Sequence, residues 1–262
     1  MASPQPAGGF LPQNLPSPAP SNFSASPAPS KLPHPRPHPL KAGSAKEAAA
    51  RRYVENRLLQ ISRRYTKKFQ PRMEGDGKNE LLGYDNASDL CMDLGETVDV
   101  LWLSGTPSLQ IPSLLNIAGA VTSYISAFPP APAATFGLLR KLDHAFVSLL
   151  RGEDSVTGEI LPGFSNGNGG FSRTDMVRLK SLVEATRVLV VEVMSKVPTG
   201  EHDEPEESEL ETDGEMDLDG ASTVVESNGM DAARVYAGTV VELGVLLPGN
   251  TAFDTGVTAG QS

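Results

Sequence analysis

Between residues 44 and 197, apolar side chains return every third or fourth position through five successive stretches, and a chain written that way buries them as packed helices. The first stretch opens on Ser44 and Glu47, spaced as a capping box in which each side chain satisfies a free backbone donor at a helix start. Val54, Leu58, Ile61, Tyr65 and Phe69 follow on one stripe, and Pro71 ends the run. A second helix is expected from Asp85 or Asn86, with Leu90, Leu94, Val98, Leu101 and Trp102 inward and Gly105 and Pro107 closing it. Leu109, Ile111, Leu114, Leu115, Ile117, Val121, Tyr124, Ile125 and Phe128 surround most of a third helix, which marks it as the central one. That stretch is as long as a membrane span, but Gln110, Pro112 and Asn116 interrupt it, so a buried helix is expected and no membrane is implicated.

After the rigid break Pro129-Pro130-Ala131-Pro132, a fourth helix is expected over 135–151, with Phe136, Leu139, Leu142, Phe146, Leu149 and Leu150 inward and Gly152 as its stop. Residues 153–171, with Asn166-Gly167-Asn168-Gly169-Gly170, read as a long loop. Ser172 and Asp175 then start a fifth helix whose inner face is Met176, Leu179, Val183, Val190 and Met194. Val188 to Val191 is a β-favouring run, but the capped, periodic start favours a helix there. A last helix over 229–247 carries Ala233, Tyr236, Val240, Leu243 and Leu247 on one face. Alone it is too short to hold in water, so it must dock on the bundle or on another protein.

The predicted fold is therefore all-α: a helical bundle of about five helices over 44–197 plus a C-terminal helix. The prediction adds a disordered N-terminal tail over 1–43, an acidic disordered linker over 198–228 and a disordered tail over 248–262. Twelve of the 22 prolines lie before Leu40, and a proline-dense run such as Leu-Pro-His-Pro-Arg-Pro-His-Pro-Leu favours polyproline conformations without a core. Its Ser-Pro pairs at Ser3, Ser17 and Ser26 are candidate phosphorylation sites, and the run suits an aromatic groove.

The net charge of −10 is segregated. Residues 201–219 hold eleven Asp or Glu and no Lys or Arg, whereas residues 46–72 hold nine Lys or Arg against two Glu. Arg51 and Arg52, ten intervening residues, then Arg63, Arg64 and Lys67 match the spacing of a bipartite nuclear import signal. The same side chains with Lys68 could instead contact phosphates of a nucleic acid, or form a solvated face opposite the apolar stripe.

Material for catalysis is thin. His34 and His38 fall in the tail and His202 in the acidic linker, which leaves His144 as the one histidine of the bundle. Asp143 precedes it, and adjacent helical residues do not face each other. The single cysteine, Cys91, excludes an internal disulfide and a cysteine-built zinc site, and its place beside Leu90 reads as core. Gly75-Asp76-Gly77-Lys78 lacks the first glycine and the Ser or Thr of a phosphate-binding loop, and the acidic linker lacks the spacing of a calcium loop. No cofactor and no metal are expected.

Ser104-Gly105-Thr106-Pro107-Ser108-Leu109-Gln110-Ile111-Pro112, and the stretch from Phe136 through Arg140 to Phe146, resemble a family of little-characterised filamentous-fungal helical proteins. Some of its members carry the name of a meiotic strand-exchange recombinase. Such an enzyme needs a phosphate-binding loop and an ATPase core, so the resemblance implies an accessory role at most and transfers no functional residue. The expected function is that of a non-enzymatic nuclear adaptor or complex subunit acting on other proteins, with the cytoplasm as the alternative location. An accessory nucleic-acid binder using Arg51, Arg52, Arg63, Arg64, Lys67 and Lys68 is the second reading, and an enzyme built on His144 the third.

Overall fold

The computed structural model describes residues 32–70, 82–164, 170–196 and 229–247. Residues 1–31, 71–81, 165–169, 197–228 and 248–262 lie outside them, so the readings made there stay expectations. Six helices carry the fold: α1 (Ala45–Lys67), α2 (Ala87–Ser104), α3 (Pro107–Tyr124) with a 3-10 turn over Ile125–Ala127, α4 (Pro132–Arg151), α5 (Arg173–Met194) and α6 (Ala237–Leu246). The all-α expectation holds.

Helix starts follow local chemistry. The N–H of Glu47 donates to Ser44 Oγ, that of Asp89 to Asn86 Oδ1 and that of Asp175 to Ser172 Oγ, each meeting a donor that the first turn leaves free. Glu47 completes its box one residue early, accepting from the N–H of Gly43 at 2.7 Å. α4 starts at Pro132 rather than near Thr135, because a proline at the first helical position has no N–H to leave unpaired and a preset φ. α2 stops at Gly105, whose φ of 54° is a left-handed conformation that side chains with a Cβ rarely adopt.

The direction of each helix pair follows from its cross-links. Asp99 meets Lys141 and Trp102 packs on His144, so α2 and α4 run parallel. Asn116 meets Arg178 and Thr122 meets Thr186, so α3 and α5 also run parallel. Leu90, Leu94, Leu101, Leu114, Leu115, Ile117, Leu142 and Phe146 form one core with Trp102, as their periodicity predicts. Gln110, buried in α3, turns its amide to the carbonyls of Leu101 and Trp102 and so satisfies the end of α2. The sequence around residues 104–112 is thus the recipe of a corner, with a glycine to end one helix, a proline to start the next and a glutamine to seal the joint.

Two segments depart from expectation. Residues 32–43, assigned to a disordered tail by composition, lie on the bundle: Leu32 packs against the core, and the N–H of Leu40 donates to Thr106 Oγ1 at 2.9 Å. Extended proline-rich chain needs no internal hydrogen bonds and has little backbone freedom to lose, so it can be held by few contacts. The last helix is not continuous over 229–247. It is helical over 229–233, turns through Arg234–Tyr236, and resumes as α6. Tyr236 takes a φ of 53°, which re-aims the chain so that Val235, Tyr236, Thr239 and Leu243 are buried, while Ala233 and Val240 of the expected face are exposed. α6 docks on α4. Asp143 accepts from the N–H groups of Gly238 and Thr239 and from Thr239 Oγ1, serving as the cap that α6 lacks in its own sequence.

Candidate interaction surfaces

The basic residues of α1 divide by direction. Arg64 Nη1 donates to Asp93 Oδ2 at 2.6 Å, its Nε donates to the carbonyl of Leu82, and its guanidinium lies 4.0 Å above the Tyr84 ring. Arg57 donates to the other oxygen of the same carboxylate at 2.8 Å and to Glu96. Tyr84 Oη donates to Asp93 Oδ2 at 2.6 Å, and burial followed by the Asp93 carboxylate pushes its phenol well above the usual tyrosine range. A carboxylate only 5% exposed thus takes three donors and sews α1 antiparallel onto α2. Gly83 makes the approach possible, since a Cβ there would sit 2.8 Å from the backbone nitrogen of Lys68.

Of the six basic residues singled out from the sequence, Arg64 therefore serves the fold. Arg51 pairs with Glu47 one turn away at 3.0 Å, and Lys68 lies over the Phe128 ring at 4.5 Å. Lys67 is half-buried. Arg52 and Arg63 stay exposed on the outer face with Tyr53 and Leu59, and they make no ion pair among the described residues. The helix separates them by roughly 16 Å at 1.5 Å per residue. Asp93 and Arg57 were not singled out from sequence, although an acid on the apolar side of an otherwise leucine-lined helix is the available signal.

A second surface lies between α5 and α6. Val188 and Val191 occupy the side of α5 opposite its buried stripe, and Val188 is 71% exposed. α6 is apolar around almost its whole circumference, with Glu242 its one charged residue, and that residue is taken by Arg151. Val241 and Val245 consequently face outward, Val245 at 72% exposure. A groove of about 490 Å³ runs between the helices, lined by Val183, Arg187 and Val188 on one wall and Val240, Gly244 and Leu247 on the other. Exposed apolar side chains on neighbouring helices, with Lys180 and Glu184 also on the α5 wall, are the material from which a docking face can be built.

His144 borders an open cavity of about 350 Å³ lined on one side by residues 32–37. Its Nε2 lies 3.3 Å from Asp154 Oδ1, the oxygen that also accepts from the N–H groups of Val156 and Thr157. Burial pushes the Asp154 carboxyl up, but those two N–H groups and the His144 ring outweigh it and hold the carboxyl below its ordinary value. The pair fixes a loop corner. Cys91 is buried, and burial pushes its thiol up to about 11, the opposite of what a nucleophile requires. Among the described residues no three His, Cys, Asp or Glu side chains are placed to hold a metal ion, and no helix is long and apolar enough to cross a membrane.

No solved structure matches the chain. An uncharacterised protein of Schizosaccharomyces pombe is 28% identical over 156 residues, which is 58% of this chain and 83% of the relative. The model of the TFB6 family, described as subunit 11 of the general transcription factor TFIIH, matches residues 83–244. That span is more than half the chain and runs from Gly83 into α6, so it takes in the groove between α5 and α6 apart from Leu247, while residues 32–43 and α1 precede it. The chain belongs to the TFB6 family, subunit 11 of TFIIH.

Proposed function

We propose that this protein is a nuclear, non-enzymatic adaptor subunit of a TFIIH assembly, and that the aliphatic face of α5 and α6 is the surface that docks on its partner there. The observation that carries the reading is the coincidence of a family match over 83–244 with exposed Val188, Val191 and Val241 inside that span and exposed Val245 directly after it. An assembly subunit needs such a face, because burying it in a partner removes apolar area from water at roughly 25 cal/mol per Å². Nuclear placement follows from the assembly named by the family. Neither the family description nor the fission-yeast relative mentions strand exchange, so the recombinase name of similar fungal proteins is not carried over.

The test is affinity capture of the tagged full-length chain from nuclear extract, with quantitative mass spectrometry of TFIIH subunits. The wild type should enrich them, and the double substitution Val188→Asp, Val245→Asp should lose that enrichment while keeping its helical circular-dichroism signal. A wild type that brings down no TFIIH subunit sinks the assignment. A double variant that captures as well as wild type removes the α5–α6 face from it.

A further inference from the structure

We infer that the open cavity between residues 32–37 and the loop 154–162 receives a tryptophan or tyrosine side chain of a partner protein. Two walls far apart in the sequence form it. Leu32 packs on the core at the start of the first wall, and beyond its end the N–H of Leu40 donates to Thr106 Oγ1. The second wall is a short loop closed by the bridge between Glu153 and Ile160, and tied down where the N–H of Ser155 donates to Ser148 Oγ at 2.9 Å. His34 Nε2 lies 3.3 Å from Glu159 Oε2 and so joins the two walls. A loop fixed at this many points still leaves Val156 63% and Ile160 70% exposed, both on the cavity. Its volume of about 350 Å³ lies at the small end of the range for ligand sites, with room for one large side chain.

The lining selects what that side chain is. Pro33, Pro35, Pro37 and Pro162 set rigid apolar rings around the opening and bring carbonyls without N–H groups. The carbonyls of Pro33 and Pro37 accept no hydrogen bond among the described residues. On the loop, the N–H groups of Val156, Thr157, Glu159 and Leu161 are already used. The cavity is therefore rich in acceptors and poor in donors. Arg36 is exposed at the rim and makes no ion pair among the described residues. Proline rings pack against aromatic faces, a guanidinium without a carboxylate lies over them, and an acceptor-rich wall matches an indole N–H or a phenol O–H. An aliphatic side chain supplies only the apolar area, and a carboxylate is repelled by Asp154 and Glu159. Tryptophan and tyrosine are also the side chains that most often anchor protein interfaces.

The inference does not rest on the TFIIH reading, because a small probe tests it on the purified full-length chain. Titration with N-acetyl-tryptophanamide, followed by methyl NMR, should shift the Val156 and Ile160 methyl signals with a saturable, roughly millimolar affinity. N-acetyl-leucinamide should bind about fivefold more weakly or worse, having neither ring nor side-chain donor. Arg36→Gln should weaken binding of the tryptophan probe about threefold, the scale of one exposed cation–π contact. Ile160→Asp should abolish the Val156 shift with helical circular dichroism unchanged, as befits so exposed a side chain. Equal binding of the two probes overturns the inference, as does the absence of shifts at both methyl groups in the wild type. For the partner, Thr157→p-benzoylphenylalanine in nuclear extract should crosslink to peptides with Trp or Tyr at the junction, whereas junctions on peptides free of both overturn it.

Discussion

The helix pair α1–α2 and the helix pair α4–α6 solve the same packing problem with opposite materials. α1, the most charged helix of the chain, is fastened by charge turned inward, two guanidiniums and a phenol converging on buried Asp93. α6, with Glu242 its one charged residue, is fastened to α4 by Asp143 at its start, by the Arg151–Glu242 pair and by buried Tyr236 and Leu243, and it leaves valines in water. Buried polar groups need complete partnership, and Asp93 has it, so the basic helix becomes a structural strut along one edge and a polar surface along the other. Apolar groups need only coverage, and α6 has coverage on one side. That difference is the reason the proposed docking face lies on the uncharged helix rather than on the charged one.

Removing the hub of the first pair should give the largest effect. Asp93→Ala leaves the Arg57 and Arg64 guanidiniums and the Tyr84 hydroxyl without their shared acceptor, an arrangement that costs about 3 kcal/mol or more, measurable as a lowered midpoint in urea unfolding. A loss below about 1 kcal/mol would mean that the seam is held by its apolar contacts and would erase the contrast. Asp143→Ala should cost about 1–2 kcal/mol, concentrated in α6, because its capping acceptor disappears while the core beneath is unchanged. Hydrogen exchange should then quicken over 237–246 and stay unchanged in α2. Exchange that quickens evenly would show that α6 is not a separable unit.

Acidification sharpens the comparison at a third place. The Asp154 carboxyl titrates lower in the folded chain than in the unfolded one, so its contribution is present above the ordinary carboxylate value and is lost as pH falls through the lower, folded value. Exchange at Val156 and Thr157, which donate to it, should rise in that acid window while α2 stays protected. At the small end, Val188→Ser and Val241→Ser should change unfolding stability by no more than about 0.5 kcal/mol, as befits exposed positions, and still weaken capture by the partner. Stability losses above 1 kcal/mol would show those valines to be packed.

Much of the bundle is legible in the residue order. Ser44, Asn86 and Ser172 cap helices as their side chains predict, and the leucine stripes of α2 and α4 lie inside. Less of the candidate site is. Spacing groups Arg51, Arg52, Arg63, Arg64, Lys67 and Lys68 as one basic surface, but adjacent positions on a helix point about 100° apart. Arg64 consequently reaches Asp93, twenty-nine residues away, while Arg63 reaches solvent. The break at Tyr236 has no local signal, since neither glycine nor proline marks it. The packing of its ring in the core holds the strained backbone there.

What the sequence by itself determined is where helices begin, which side of most of them is apolar and where charge of each sign accumulates, because caps, periodicity and composition act over a few residues. What only the tertiary structure decided is which charges are spent inside, which valines remain outside and that residues 32–43 are held. Those outcomes depend on partners distant along the chain, as Asp93 is to Arg57, Asp143 to Thr239 and Thr106 to Leu40. No local pattern encodes such a meeting.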